Sequence, residues 1–360
     1  MEILEFNDCY EWSSNVTRRN EIVWKKPNLL LGNGFSISYA PDKFSYSALL
    51  EVASSKISAL PLSKNIFKKQ NSKDFEEVIH KLEQTANTLE VTDSNKFKNE
   101  IIQFRHEAAE VKRILAESIA ELHSDRPFEV TQQEYVNCRK FLRKFENYYT
   151  TNYDYLLYWA LMQDSQGAHD PDFIHRDGFY SRNSDEPYVI WDRLHHSGEN
   201  IFYLHGALHF FKDGKDGSIR KITYKRTKKA LIDQTRKFLE EDNYPLVVAE
   251  GSAETKLKRV DESAFLSHGH RSLAGRGGAL VIYGLSLSLN DQHIANAIAS
   301  SNIQKLAVSI YGNIHSETNQ QLIKSLNEII SRRNQIIKKN PRKNSIEYKL
   351  FDANSAHIWR

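Results

Sequence analysis

The stretch Pro27–Tyr39, PNLLLGNGFSISY, decides the fold. Leu29, Leu30 and Leu31 form an uninterrupted apolar run, as in a short strand buried on both faces. Gly32 and Gly34 then open a tight turn. Ser36 and Ser38 are candidate caps for whatever follows. A strand that ends in a glycine turn is how open α/β sheets bring backbone N–H groups to a ligand crevice.

The same texture recurs along the chain. FENYYTTNYD (145–154) reads as a strand running into a polar turn, and ENIFYLHGAL (199–208) as another strand with a glycine at its end. YPLVVAEGS (244–252), GGALVIYGLS (277–286) and KLAVSIYG (305–312) are three more short apolar runs that end in glycine. Helical spacing follows at about 254–274, 290–301 and 315–338, and SIEYKLFDA (345–353) is a last strand. FFKDGKDGSIRKITY (210–224) reads as a hairpin with Asp216-Gly217 at the turn. The segment 163–200, rich in Asp, His, Arg, Gly and Ser, reads as a long irregular connection.

Strands alternating with helices predict an α/β fold, a Rossmann-like and mostly parallel sheet with helices on both faces. Residues 61–146 differ: they are rich in Lys, Glu, Gln, Ala and Leu. Phe75, Val78, Ile79 and Leu82 recur at helical spacing, as do Ile101, Phe104, Ala108, Val111, Leu115 and Ile119. This predicts two to four helices, inserted as an all-helical subdomain into an α/β domain formed by 1–60 and 147–360.

Composition narrows the class. The 360 residues carry 49 Lys+Arg against 46 Asp+Glu, a net +3, too near neutral for a nucleic-acid-coating protein or a membrane-surface anchor. Cys9 and Cys138 are the two cysteines, too few for a Cys-rich zinc module or a disulfide framework, so a reducing cytoplasmic setting is expected. MEILEFNDCYEW has no basic region before an apolar stretch, so no secretory signal is expected. No apolar run reaches the roughly 20 residues a membrane helix needs.

The glycine-ended strands put candidate chemistry at Gly32-Asn33-Gly34, Asn152-Tyr153-Asp154, His205-Gly206, Glu250-Gly251 and Gly284-Leu285-Ser286. GNGFS either cradles a phosphate with backbone N–H groups or is a plain strand-to-helix turn. Asn152 and Asp154 either grip a sugar or carboxamide or form an Asx-capped helix start. His205 is a general base or a hydrogen-bonded structural histidine. His205 and His209, four apart, would bind metal only on a helix, and their strand setting argues against it. Asn290 or Asp291 reads as a helix cap. His195-His196, with His268 and His270, read as surface or capping features, and no metal set is expected. The Lys256/Lys258/Arg259 cluster and the basic run Arg332–Lys343 read as solvated helix faces, since no aromatics interleave.

Taken in order, GNGFS, TTNYD, YLHGAL and GLSLSLND resemble the sirtuin fold, and more closely the bacterial sirtuin-like proteins associated with anti-phage defence. The resemblance covers about 27–58 and about 147 to the end, and leaves out the helical insertion. It implies NAD at the C-terminal edge of the sheet. Gly32, Asn33, Gly34 and Phe35 match the first phosphate-binding turn. Asn152 and Asp154 match the Asn-x-Asp pair near the nicotinamide ribose, and His205 the general base. Gly284 and Ser286 match the later Gly-x-Ser turn, and Asp352-Ala353 the adenine end. Asp291 and His293 look typical of the bacterial subgroup.

Two departures bear on activity. The four-cysteine zinc module of sirtuin deacylases is missing, and a helical insertion follows the first turn. With no acyl-lysine groove, water becomes the acceptor. The expectation is an NAD glycohydrolase that depletes NAD in abortive infection. A non-catalytic NAD or ADP-ribose-binding module, and a protein deacylase or ADP-ribosyltransferase, are the alternatives. NAD is expected as substrate, with no metal. An activator or sensor protein encoded nearby, or a homo-oligomer, is expected to control the enzyme, with the insertion as docking surface. No membrane or nucleic-acid partner is indicated.

Overall fold

The computed structural model describes every residue except Met1, Asn20, 164–172, Ile174, Ser184, Arg193, 195–197, Glu250 and Gly251. Seven strands form a central sheet: β1 (Ile3–Leu4), β2 (Asn28–Leu31), β3 (Tyr148–Thr150), β4 (Ile201–Tyr203), β5 (Gly277–Tyr283), β6 (Asn302–Ile310) and β7 (Glu347–Asp352). Their order is β1-β7-β6-β5-β2-β3-β4, and every pair is parallel. From β2 the chain moves outward to β3 and β4. It then returns to the other side of β2 and moves outward again through β5, β6 and β7. The order therefore reverses between β2 and β5, the switch point where such sheets leave a crevice.

Alternation along β2 explains its apolar run. Leu29 and Leu31 join one buried cluster and Leu30 the other, because successive strand residues face opposite sides. The first cluster includes Phe75, Val78, Leu82, Val111 and Leu142 from the helical stretch together with Tyr148 and Val281 of the sheet. The helices Pro61–Gln70, Phe75–Asp93, Lys98–Leu122 and Gln132–Leu142 thus share their core with one face of the sheet. Asp74 starts the second of these, accepting from the N–H groups of Glu76 and Glu77.

Unlike its appearance in the sequence, YPLVVAEGS is not a parallel strand of the main sheet. Pro245–Val247 pairs with Gly206–Lys212 in a second sheet, five-stranded and antiparallel, completed by Ile219–Ile222, Tyr188–Trp191 and Phe179–Tyr180. Two of these strands arise within 163–200, the stretch expected to be irregular. The hairpin at Asp216-Gly217 is present, with Gly217 at φ +70°. Gly206 makes the transfer between sheets. Its φ is +75°, and a Cβ there would lie 1.8 Å from the Leu246 carbonyl oxygen. Only glycine fits this position. Among the described residues, no helix is long and apolar enough to cross a membrane.

Candidate active site

The C-terminal ends of β2 to β6 open onto one cavity of about 880 Å³, within the range of cofactor-sized pockets. Asn33 and Gly34, Asn152 and Asp154, His205, Gly284 and Ser286, and Asp291 all line it. Gly32 and Phe35 do not. A Cβ on Gly32 would lie 2.6 Å from the Gly284 oxygen, and one on Gly34 would lie 2.5 Å from the Gly284 Cα. The two glycines let the β2 and β5 turns touch. Phe35 is buried away from the cavity against Trp359, whose Nε1 donates to the Phe35 carbonyl at 3.1 Å. The Glu250-Gly251 pair and His195-His196 lie outside the described residues.

The first turn is tied down rather than open. The N–H of Gly32 donates to Tyr283 O, that of Gly34 to Gly284 O and that of Phe35 to Gly32 O. Three of the N–H groups expected to cradle phosphate are therefore already used, and the plain strand-to-helix reading describes the turn. Ser36 and Ser38 are not caps either. Ser38 donates to the Phe35 carbonyl, and Ser36 turns toward β3.

That turn builds one wall. Ser36 Oγ donates to Asp154 Oδ2 at 2.5 Å and accepts from Asn152 Nδ2 at 3.0 Å. Asp154 Oδ1 accepts from the Leu156 N–H at 2.8 Å, an Asx turn leading into the helix Leu156–Met162, whose N-cap is Tyr155 without a side-chain cap bond. The proton count fixes the amide. Because the Ser36 hydrogen goes to Asp154, its oxygen must accept, and Asn152 presents Nδ2. Asn152 Oδ1 is then a buried acceptor with no partner among the described residues. Such an atom costs about 1–3 kcal/mol unless a ligand donor meets it. Burial raises the Asp154 carboxyl above its ordinary range, while the Ser36 and Leu156 bonds pull it back.

The opposite wall is charged. His205 Nε2 faces His293 Nε2 at 2.9 Å, one ring donating and the other accepting. Burial first, then the Lys256 cation and the neighbouring His293 and His270, hold His205 well below the ordinary histidine value. Burial likewise brings His293 down to about 3. Both rings are neutral near pH 7. Lys256 is fully buried, with Nζ 2.5 Å from Glu76 Oε2 and 3.1 Å from Asp291 Oδ1. Burial alone would lower its pKa, but Asp291 and Glu76 push it up.

Lys256 is therefore no solvated helix residue, contrary to expectation: it shares the inner face of its helix with Val260, four residues on. Asp291 occupies the expected N-cap position of the helix Gln292–Ser300, but its side chain makes no cap bond and pairs with Lys256. His270 stacks on His293 at 6.0 Å, and His268 Nε2 lies 2.7 Å from Glu199 Oε2, so neither is the surface feature expected. Arg333, inside the basic run, is fully buried. Donor atoms of His205, Asp291 and His293 lie within 4.8 Å of one another, a spacing that could admit a cation. Here the two Nε2 atoms already face each other, and Asp291 Oδ1 faces Lys256. His209 sits four residues from His205 but outside the cavity, among the rings of Tyr155, Tyr158, Tyr203 and Phe210.

Sequence reasoning missed Ser36, Glu76 and Lys256 as site residues. Val260 was the signal for Lys256. Glu76 had none, because its partner lies 180 residues away.

The chain belongs to the family described as "Domain of unknown function (DUF4917)", whose model matches residues 29–359. No curated protein matches the chain.

Proposed function

We propose that this chain is an NAD glycohydrolase that releases nicotinamide and ADP-ribose, and that it acts as an NAD-depleting effector of bacterial anti-phage defence. The observation that carries the reading is the convergence of Asn152, Asp154 and His205 on one dinucleotide-sized cavity at the switch point of a parallel sheet. The defence role rests on the resemblance of the motifs.

The chemistry asks little of the protein. Nicotinamide leaves as a neutral molecule from a cationic glycoside, so no acid need expel it. The bond from the ribose carbon to the ring nitrogen breaks, water adds to that carbon, and one proton is released. The site must hold the ribose, limit water and stabilise an oxocarbenium-like transition state. Neutral His205 accepts the proton of the water or of a ribose hydroxyl. Asn152 Oδ1 receives a donor from the carboxamide or the ribose. Asp154, with both oxygens engaged, orients Ser36 and Asn152 rather than gripping the carboxamide itself. Control by a neighbouring sensor protein or by assembly of copies belongs to the same reading, because such an enzyme is toxic when unregulated.

The test is chromatographic. Purified chain is incubated with NAD, alone and with the products of neighbouring genes, and nicotinamide and ADP-ribose are quantified. His205→Ala is expected to lower the rate about 10²–10⁴-fold, the usual worth of a general base. Undiminished release by a folded His205→Ala protein would end the assignment. NAD that binds but stays intact in every mixture would mark a binding module, and nicotinamide released only with acyl peptide would mark a deacylase.

A further inference from the structure

The helix Phe75–Asp93 belongs to the helical insertion, yet its first turn forms part of the cavity wall. Glu76 lines the cavity, and its carboxylate reaches both sides of the site. Oε2 holds Lys256 at 2.5 Å, and Lys256 in turn holds Asp291 at 3.1 Å. Asp291 precedes the helix Gln292–Ser300, from whose first turn His293 meets His205. Oε1 lies 3.0 Å from the hydroxyl of Tyr153, the central residue of the Asn152–Asp154 turn. That hydroxyl is also 2.6 Å from the Val248 carbonyl, one proton between two acceptors.

We propose that Glu76 is a positioning residue for the reaction, a carboxylate supplied by the helical insertion that fixes the two walls of the cavity relative to each other and sets their net charge. The inference rests on the glycohydrolase reading and adds to it the route by which the insertion governs activity. With Glu76 ionised, two carboxylates face one ammonium, and this side of the cavity is net negative. An oxocarbenium forming at the ribose is then favoured. With Glu76 protonated, Lys256 balances Asp291 alone and that advantage is gone. Anything docking on the insertion that shifts the helix Phe75–Asp93 moves this carboxylate and so changes turnover.

The groups facing Glu76 are Lys256, Asp291, Asp74, Tyr153 and the hydroxyl of Tyr46. Burial, tempered by Lys256 and reinforced by Asp291 and Asp74, raises its carboxyl to about 7. Because the folded chain holds this proton more tightly than the unfolded chain does, stability from this group is greatest at low pH. It declines as pH rises from the ordinary 4.5 through about 7. Activity is expected to run the opposite way, rising with ionisation. A residue kept only for the fold would not oppose the two.

Glu76→Gln preserves the shape and removes the charge. At pH 8 its kcat for nicotinamide release is expected to fall about 10- to 100-fold, with KM changed less than about threefold, the scale of a coupled neighbour. The wild-type rise in kcat through pH 7 should disappear, while the melting temperature at pH 8 should not fall. Wild-type kcat and pH profile in a folded Glu76→Gln protein would overturn the proposal, as would a loss of rate matched by a collapse in melting temperature. If the wild-type chain releases no nicotinamide, the glycohydrolase reading fails first. Melting temperature against pH then tests the clamp itself: flattening between pH 5 and 8 in Glu76→Gln supports it, and a curve parallel to wild type refutes it.

Discussion

The two walls of the cavity hold their polar groups by opposite means. On the β3 side, Asn152 Nδ2 donates to Ser36 and Ser36 to Asp154, a relay that leaves Asn152 Oδ1 as a spare acceptor. On the β4 side, Glu76 and Asp291 flank the buried Lys256 ammonium behind two neutral imidazoles. A hydrogen-bond relay fixes direction at low cost. Buried charges cost more to assemble, but they create a field that a developing cation can feel. The first wall orients a ligand, and the second sets the electrostatics of its reaction.

Lys256→Met puts the strongest pressure on this contrast. It leaves Glu76 and Asp291 facing each other without their cation, and loss of one partner of a buried pair typically costs about 3–5 kcal/mol. Urea unfolding should show a loss of that size. A cost below about 1 kcal/mol would mean that Glu76 takes up a proton once its cation is gone and so relieves the charged wall. Ser36→Ala is the matching cut in the relay. It removes the donor to Asp154 and frees the Asn152 amide to turn, so a loss of about 1–3 kcal/mol is expected in the same assay. Nicotinamide release should fall as well, since the spare acceptor is no longer fixed. If Ser36→Ala melts and turns over like the parent, the relay does not orient Asn152. The smallest effect separates His205 from its neighbour. His209 is buried with neither ring nitrogen partnered among the described residues. His209→Phe should change stability by less than about 1 kcal/mol, in either direction, and leave NAD turnover at the parent rate.

The same contrast explains what the sequence could reveal. Strand ends are local: Leu29–Leu31 followed by Gly32 and Gly34 announces a buried strand and a turn, and TTNYD and YLHGAL do the same for β3 and β4. A parallel sheet then gathers all such ends on one edge, so the grouping of Asn152, Asp154 and His205 follows from sequence pattern and topology alone. Ser36 was legible as a residue but not as a relay, because its partner lies 118 residues away. Glu76 and Lys256 were harder still. Glu76 sits on a helix of the insertion whose packing alone turns it inward, and Lys256 offered only Val260, four residues on, as a cue that its helix has a buried face. The antiparallel sheet escaped for a related reason. A strand of one sheet ends at Tyr203 and a strand of another begins at Gly206, and a glycine after an apolar run reads the same in both cases.

Arg333 bears on how long the site keeps its shape. Its guanidinium donates to the carbonyl oxygens of Ile298, Ala299, Ser301, Ile303 and Asn344. One side chain therefore ties the end of the helix Gln292–Ser300 to β6 and to the segment before β7, at the far end of the helix that carries His293. Fraying from that end would break its bonds to Ile298, Ala299 and Ser301 together. In hydrogen exchange, the amides of this helix should open only with the whole fold, and the His205–His293 pair should remain registered over the lifetime of the native state.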